Sequence, residues 1–242
     1  RALWAEVQRR TAIAVPARTD VGDPVALTRR RVEPMVRGLF PAREQALVLA
    51  LLEKSVVFLT PANIEAVLQA QRPHSAWALA NLYLLSREAE LLHEDAPRIV
   101  GLSEHTTCFV SLEYFEDDHP FADFVVHEAA HIFHNCKRRT VGLPATRRRE
   151  WLLDIEFRKR ETFAYACEAY SRLLAEAPRL ANRPARIAAF AEDPIGADQT
   201  VDPAELLDIL RDAAQARNGW KRILARCAPR PPGAGHAAAS AP

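Results

Sequence analysis

The sequence predicts an α+β fold that is mainly helical. Three observations lead there. Ala, Leu, Arg and Glu dominate a chain of 242 residues that holds only 8 glycines, and these four are good helix formers. Several stretches space their apolar side chains at three- and four-residue intervals. Between residues 98 and 113 the texture changes to β-branched and aromatic residues, enough for a small sheet.

In chain order, residues 2–10 form a short helix, and residues 16–41, rich in prolines and arginines, an irregular or broken one. Residues 42–54 have helical spacing, and VVFL at 56–59 is either a short strand or the end of that helix. Thr60 and Pro61 open another helix, with Thr as its cap and Pro in its first turn. Ser75 caps a long apolar helix over 76–92. Residues 98–102 and 106–113 read as two strands that a hairpin can join. A helix then starts near Asp118 or Pro120 and runs to about Cys136. Residues 137–149 form a basic loop, and Glu150 begins a second long helical stretch that reaches the region of residue 177. Residues 180–193 and 203–226 add further helices. The tail from Pro229 is low in complexity and reads as disordered. The expected organisation is a helical N-terminal region (1–95), a central core (96–180), C-terminal helices (181–228) and the tail (229–242).

Composition narrows the function. Apolar residues make up 49% of the chain, enough for a sizeable core. Lys and Arg (32) nearly balance Asp and Glu (31), so the whole-chain charge of +1 argues against a nucleic-acid-binding protein or one bound to a membrane surface. No apolar run has the length of a membrane span. The first residues lack the apolar segment of a signal peptide and also an initiator Met, which leaves room for an upstream segment. Cys108, Cys136, Cys167 and Cys227 are scattered without CxxC spacing, as expected of free thiols in a reducing compartment. The expected location is cytoplasmic. Oligomeric state is not encoded in any pattern.

The chemistry centres on FADFVVHEAAHIFHNC, which contains His127-Glu128-Ala129-Ala130-His131. On a helix, residues four apart share a face, so both imidazoles can reach one metal ion. Glu128 projects beside that face, close enough to take a proton from an attacking water. The flanking residues are apolar on nearly all sides, so the helix is buried. Polar groups buried there need partners, and a metal supplies them. A catalytic zinc site takes three protein ligands and leaves one position open. Glu161, thirty residues after His131, is the leading third ligand. Glu168 and Asp154, two turns to either side of it, and His134, on the HExxH face, remain alternatives. Carboxylates that do not ligate can still orient His127 or His131 by accepting a ring N–H.

Arg160-Glu161-Thr162-Phe163-Ala164, following HExxH at this distance, resembles the gluzincins. In that clan a glutamate on a second helix completes the zinc site, and a small residue three positions on, here Ala164, lets the two helices pack closely. Lys137 and His134 stand where a metzincin would have His and Gly, which excludes that class. The resemblance covers about residues 106–170. It implies a minimal zincin core, a small sheet packed on the HExxH helix and on the second ligand helix, within residues 96–180. The helical N-terminal region would contribute one wall of the cleft and the C-terminal helices would close the other side. It also implies one zinc per chain, held by His127, His131 and Glu161, with Glu128 as general base. Residues 106–113 are similar to the edge strand on which gluzincin substrates lie extended.

Tyr165 is a candidate donor to the developing oxyanion, with Tyr114, His119 and Tyr170 as alternatives. Four basic clusters, at 29–31, 137–139, 147–149 and 158–160, are read chiefly as solvated faces and as a complement to the C-terminal dipole of the metal helix. Cys136 beside His134 lacks the third residue that nucleophilic Cys–His chemistry needs. The expected function is a zinc metallopeptidase acting on a protein or peptide substrate with narrow specificity, and the alternative is a non-catalytic zincin-like module that binds a protein partner.

Overall fold

The computed structural model describes residues 2–12, 22–97, 99, 101–104, 106–111, 119–147, 149–196 and 198–229. The tail beyond Pro229 and most of the loop before the HExxH helix, including Tyr114, fall outside these residues, as do parts of both expected strands. Among the described residues ten α-helices and three strands follow one another: α1 (Ala2–Thr11), α2 (Pro24–Leu39), α3 (Ala42–Ser55), β1 (Val56–Phe58), α4 (Ile64–Ala70), α5 (Pro73–Leu85), β2 (Gly101–Glu104), β3 (Thr107–Val110), α6 (Phe124–Asn135), α7 (Arg160–Glu176), α8 (Arg183–Glu192), α9 (Pro203–Gln215) and α10 (Gly219–Cys227). The mainly helical α+β class is confirmed. Among the described residues no helix is long and apolar enough to cross a membrane.

β3 is the centre of the sheet, parallel to β1 (Val56 opposite Cys108) and antiparallel to β2 (Ser103 opposite Cys108). Side chains alternate across a strand, and here the alternation separates two cores. Cys108 and Val110 face the main core with α2, α3 and α6–α10, whereas Phe109 faces a second core built from α1, α4 and α5. The N-terminal helices are thus spent supporting the sheet and α6. Among the described residues, the cleft beside HExxH is lined by residues from Ile99 onward.

Several boundaries differ from the sequence reading for local reasons. The stretch read as broken is a continuous helix over Pro24–Leu39. Asp23 caps it by accepting from Val25 N at 2.9 Å, Pro24 occupies the first position, where its missing N–H costs nothing, and only Pro34 lies inside. Ser75 is inside α5 rather than its cap, with its hydroxyl donating to Glu104. That helix ends at Leu85, where Glu88 takes a positive φ of 49° and the chain folds back so that Leu92 N donates to Asn81 Oδ1 (2.8 Å). The helix expected at Thr60-Pro61 starts at Ile64, after a turn that Asn63 closes by accepting from Thr60 N. The 203–226 stretch breaks before Gly219, where Asn218 caps α10.

The largest correction concerns residues 150–159. They are not helical; α7 begins only at Arg160, after a single 3-10 turn. Residues 150–153 instead run back along the C-terminal end of α6. Leu153 N donates to Phe133 O (2.9 Å) and Leu152 N to Cys136 O (3.0 Å). The last carbonyls of a helix have no partner within it, and this strap supplies them in a buried place.

The strap is anchored by a buried ion pair. Arg138 donates from Nη2 to Glu44 Oε1 at 2.7 Å and from Nε to Pro144 O at 2.7 Å, both charged side chains being almost wholly enclosed. Removing one member of such a pair strands the other in low dielectric, whereas replacing both by apolar groups does not. Arg138→Met is therefore expected to lower the free energy of unfolding by about 3–5 kcal/mol in urea titrations. The double variant Glu44→Leu/Arg138→Met should recover most of that loss.

Candidate metal centre

α6 carries the motif, and its start is fixed first. Asp123 caps it by accepting from Val126 N (3.3 Å) and is held in turn by Arg31 Nη1 from α2 (3.3 Å). The Asp123 N–H donates to Glu168 Oε1 of α7 at 2.8 Å. The other oxygen of Glu168 lies 2.9 Å from His127 Nδ1. A carboxylate only accepts, so Nδ1 carries a proton and Nε2 is the nitrogen turned toward the cleft. Glu168, weighed as a third ligand, thus takes the supporting role that the sequence reading left open for carboxylates outside the ligand set.

His127, His131 and Glu161 come together. The Nε2 atoms of the two histidines are 3.2 Å apart, and Glu161 Oε2 lies 3.7 Å from the first and 3.5 Å from the second. Three atoms so spaced share a point about 2.0 Å from each, a normal bond length from imidazole nitrogen or carboxylate oxygen to a divalent transition metal. Two imidazoles and one carboxylate, with a face open to the cleft, fit a metal ion. Without metal the same atoms hold protons. Burial opposes charge on His127, but Glu161 and Glu168 outweigh it and raise its pKa to about 10. The two histidines in turn hold the Glu161 carboxyl well below the usual carboxylate range.

The remaining candidates are placed as follows. Asp154 lies in the non-helical segment before α7 and is exposed, away from the triad, because α7 starts six residues later than it would have to. His134 lines the cleft with its ring edge-on to His131 at 5.3 Å, outside the triad; burial first, and then the charges of His131 and Arg160, push its pKa down to about 3. Tyr165 packs its ring edge-on to His127 at 4.5 Å while the backbone of Asp198 hydrogen-bonds its phenol oxygen. Burial, with Glu168 adding to it, raises that phenol to about 12. Tyr170 stacks on Trp220 in the core, and a Cβ at Gly219 would fall 2.2 Å from its hydroxyl. Ala164 is fully buried on α7.

Glu128 is beside the triad but not part of it. The Ser103 hydroxyl donates to its Oε2, and a Cβ at position 101 would stand 2.5 Å from its Oε1, so a side chain on β2 at residue 101 would displace this carboxylate. Cys108, on β3, donates to the Glu128 backbone carbonyl at 3.0 Å. The strand along the cleft is therefore β2. β3, expected to be the edge, is the central strand with both sides hydrogen-bonded, while no described strand pairs with the outer side of β2. Gly101 and Ser103 line the cleft but are not among the site residues expected from the sequence; a glycine inside a strand is the signal that could have found them, since it marks a close approach. The cleft measures about 810 Å³ and is bounded by β2 on one side and by Phe157, Arg158 and Arg160 on the other.

The chain matches no family model, no curated protein and no solved structure. Its geometry makes Glu168 the group that orients His127. Partners of this kind typically contribute about 10- to 100-fold in metal affinity. Glu168→Gln is expected to weaken binding of added divalent ions by that factor in a competition titration against a chromophoric chelator. An unchanged affinity would show that His127 is oriented by packing alone.

Proposed function

We propose that the protein is a zinc-dependent metallopeptidase of the gluzincin type, with zinc held by His127, His131 and Glu161. The observation that carries this reading is the placement of Glu128. Its carboxylate lines the same cleft as the triad, lies outside the ligand set and is held by Ser103 under an open-edged strand. A purely structural metal site is closed by four protein ligands and has no use for a free carboxylate beside it. Zinc, when bound, supplies a Lewis acid that polarises a carbonyl and lowers the pKa of water.

The chain's own residues do the rest. A peptide adds in extended form to the outer side of β2, which fixes its backbone without demanding particular side chains. Glu128 takes a proton from the attacking water and passes it to the departing amine. Ser103 keeps one carboxylate oxygen occupied, so that the other, under Gly101, faces the water. Glu168 holds His127 in the tautomer that ligates.

Elemental analysis should find one zinc per chain in the wild type and much less in His131→Ala and Glu161→Ala. Peptides from a whole-proteome digest, incubated with zinc-loaded protein, should show new chelator-sensitive termini by mass spectrometry. Glu128→Gln should retain zinc and lose turnover by about 10²–10⁴-fold, the usual contribution of a general base; loss of zinc from that variant would make Glu128 structural and sink the reading. Because the phenol of Tyr165 is engaged by Asp198, Tyr165→Phe is expected to keep zinc and most of its turnover. A drop of about 10²-fold would instead assign its hydroxyl to the developing oxyanion.

A further inference from the structure

The basic clusters of the sequence meet different fates. Arg29 pairs with Glu53, Arg31 with Asp123, Lys137 with Glu150, Arg138 with Glu44 and Lys159 with Glu205. Arg30, Arg139, Arg147, Arg158 and Arg160 pair with no carboxylate among the described residues, and of these Arg158 and Arg160 line the cleft. Arg160 is partly buried. Its guanidinium lies over the Phe157 ring, 5.1 Å from the centroid, and its Nε is buried with no partner among the described residues. A planar donor fork stacked on an aromatic ring is preorganised for a carboxylate. With a dipositive ion in the centre, Glu161 and Glu128 balance that ion's charge, so the centre does not consume the charge of the arginines.

The opposite wall is uncharged: Ile99, Gly101, Leu102 and Ser103. An extended peptide lying on β2 turns alternate side chains toward the arginine wall. There an orphan donor costs free energy until an acceptor arrives. We propose that the cleft selects peptides presenting a carboxylate to Arg160 and Arg158 next to the bond at the metal centre. That carboxylate is either an Asp or Glu side chain or the peptide's own C-terminus. The proposal rests on the metallopeptidase reading for the position of the peptide, but not for the existence of the carboxylate site.

The test uses binding, so it does not depend on turnover. Zinc-loaded full-length Glu128→Gln protein is titrated calorimetrically with end-capped hexapeptides carrying a single Glu or Gln at each position in turn. An all-Ala hexapeptide is titrated with a free and with an amidated C-terminus. At least one Glu peptide, or the free C-terminus, should bind about 10-fold or more tightly than its neutral twin, as one charge-assisted pair provides. Which of the two does so identifies the source of the carboxylate. The ratio should fall toward one when Arg160→Gln is added, and also with Arg158→Gln, whose exposed site makes misfolding no explanation. Equal affinities for every pair, or a preference that survives both substitutions, would overturn the proposal. If the best binder is selected through the arginines but is not cleaved by the zinc-loaded wild type, the peptidase reading falls while the carboxylate site stands.

Discussion

Glu168 is nearly without solvent, and its two oxygens are committed in different directions. One accepts the Asp123 N–H at the start of α6, and the other accepts Nδ1–H of His127 one turn further on. The same carboxylate therefore fixes how α7 docks on α6 and which nitrogen of His127 points into the cleft. Burying a carboxylate is unfavourable unless its lone pairs are occupied, so the packing of the two helices and the tautomer of the ligand cannot be separated. Glu161 follows from this, because once α7 is docked, its position two turns before Glu168 brings it beside both Nε2 atoms.

Both ends of α6 show the same constraint. A helix buried on almost every side has four N–H groups and four carbonyls that water cannot reach. The Asp123 side chain, backed by Arg31, accepts from Val126 N at one end, and the strap of residues 150–153 donates to the carbonyls of Phe133 and Cys136 at the other. The strap is held by Arg138 and Glu44, so α3, far from the cleft in sequence, contributes to the rigidity of the ligand helix. A ligand set within a few tenths of an ångström of metal geometry depends on such support.

These dependencies explain what could be read from the residues alone. The HExxH pair and Glu161 were legible because helical periodicity puts ligands on one face, and the two strands were legible from their β-branched texture. The start of α7 was not. Residues 151–156 have good helix propensity, but the unpaired carbonyls of α6 compete for their N–H groups and win, which removes Asp154 from the helix. The order of the sheet was equally hidden, since only three-dimensional pairing decides which strand lies at the edge. Asn218-Gly219 was a readable breaker that the apolar periodicity on either side masked.

Charge makes the final distinction between support and recognition. In a chain whose acids and bases almost cancel, most cations near the core are matched by carboxylates, and the matched ones belong to the scaffold: Arg31 on the cap of α6, Arg138 on the strap. A cation left without a carboxylate beside a cleft, lying over an aromatic ring, has no scaffold ion pair that its charge would serve. Arg160 sits one residue from Glu161 of the triad, where helix α7 follows the 3-10 turn that carries Phe157. The docking of α7 on α6 that sets the geometry of the triad thereby also fixes where this cationic wall stands beside it.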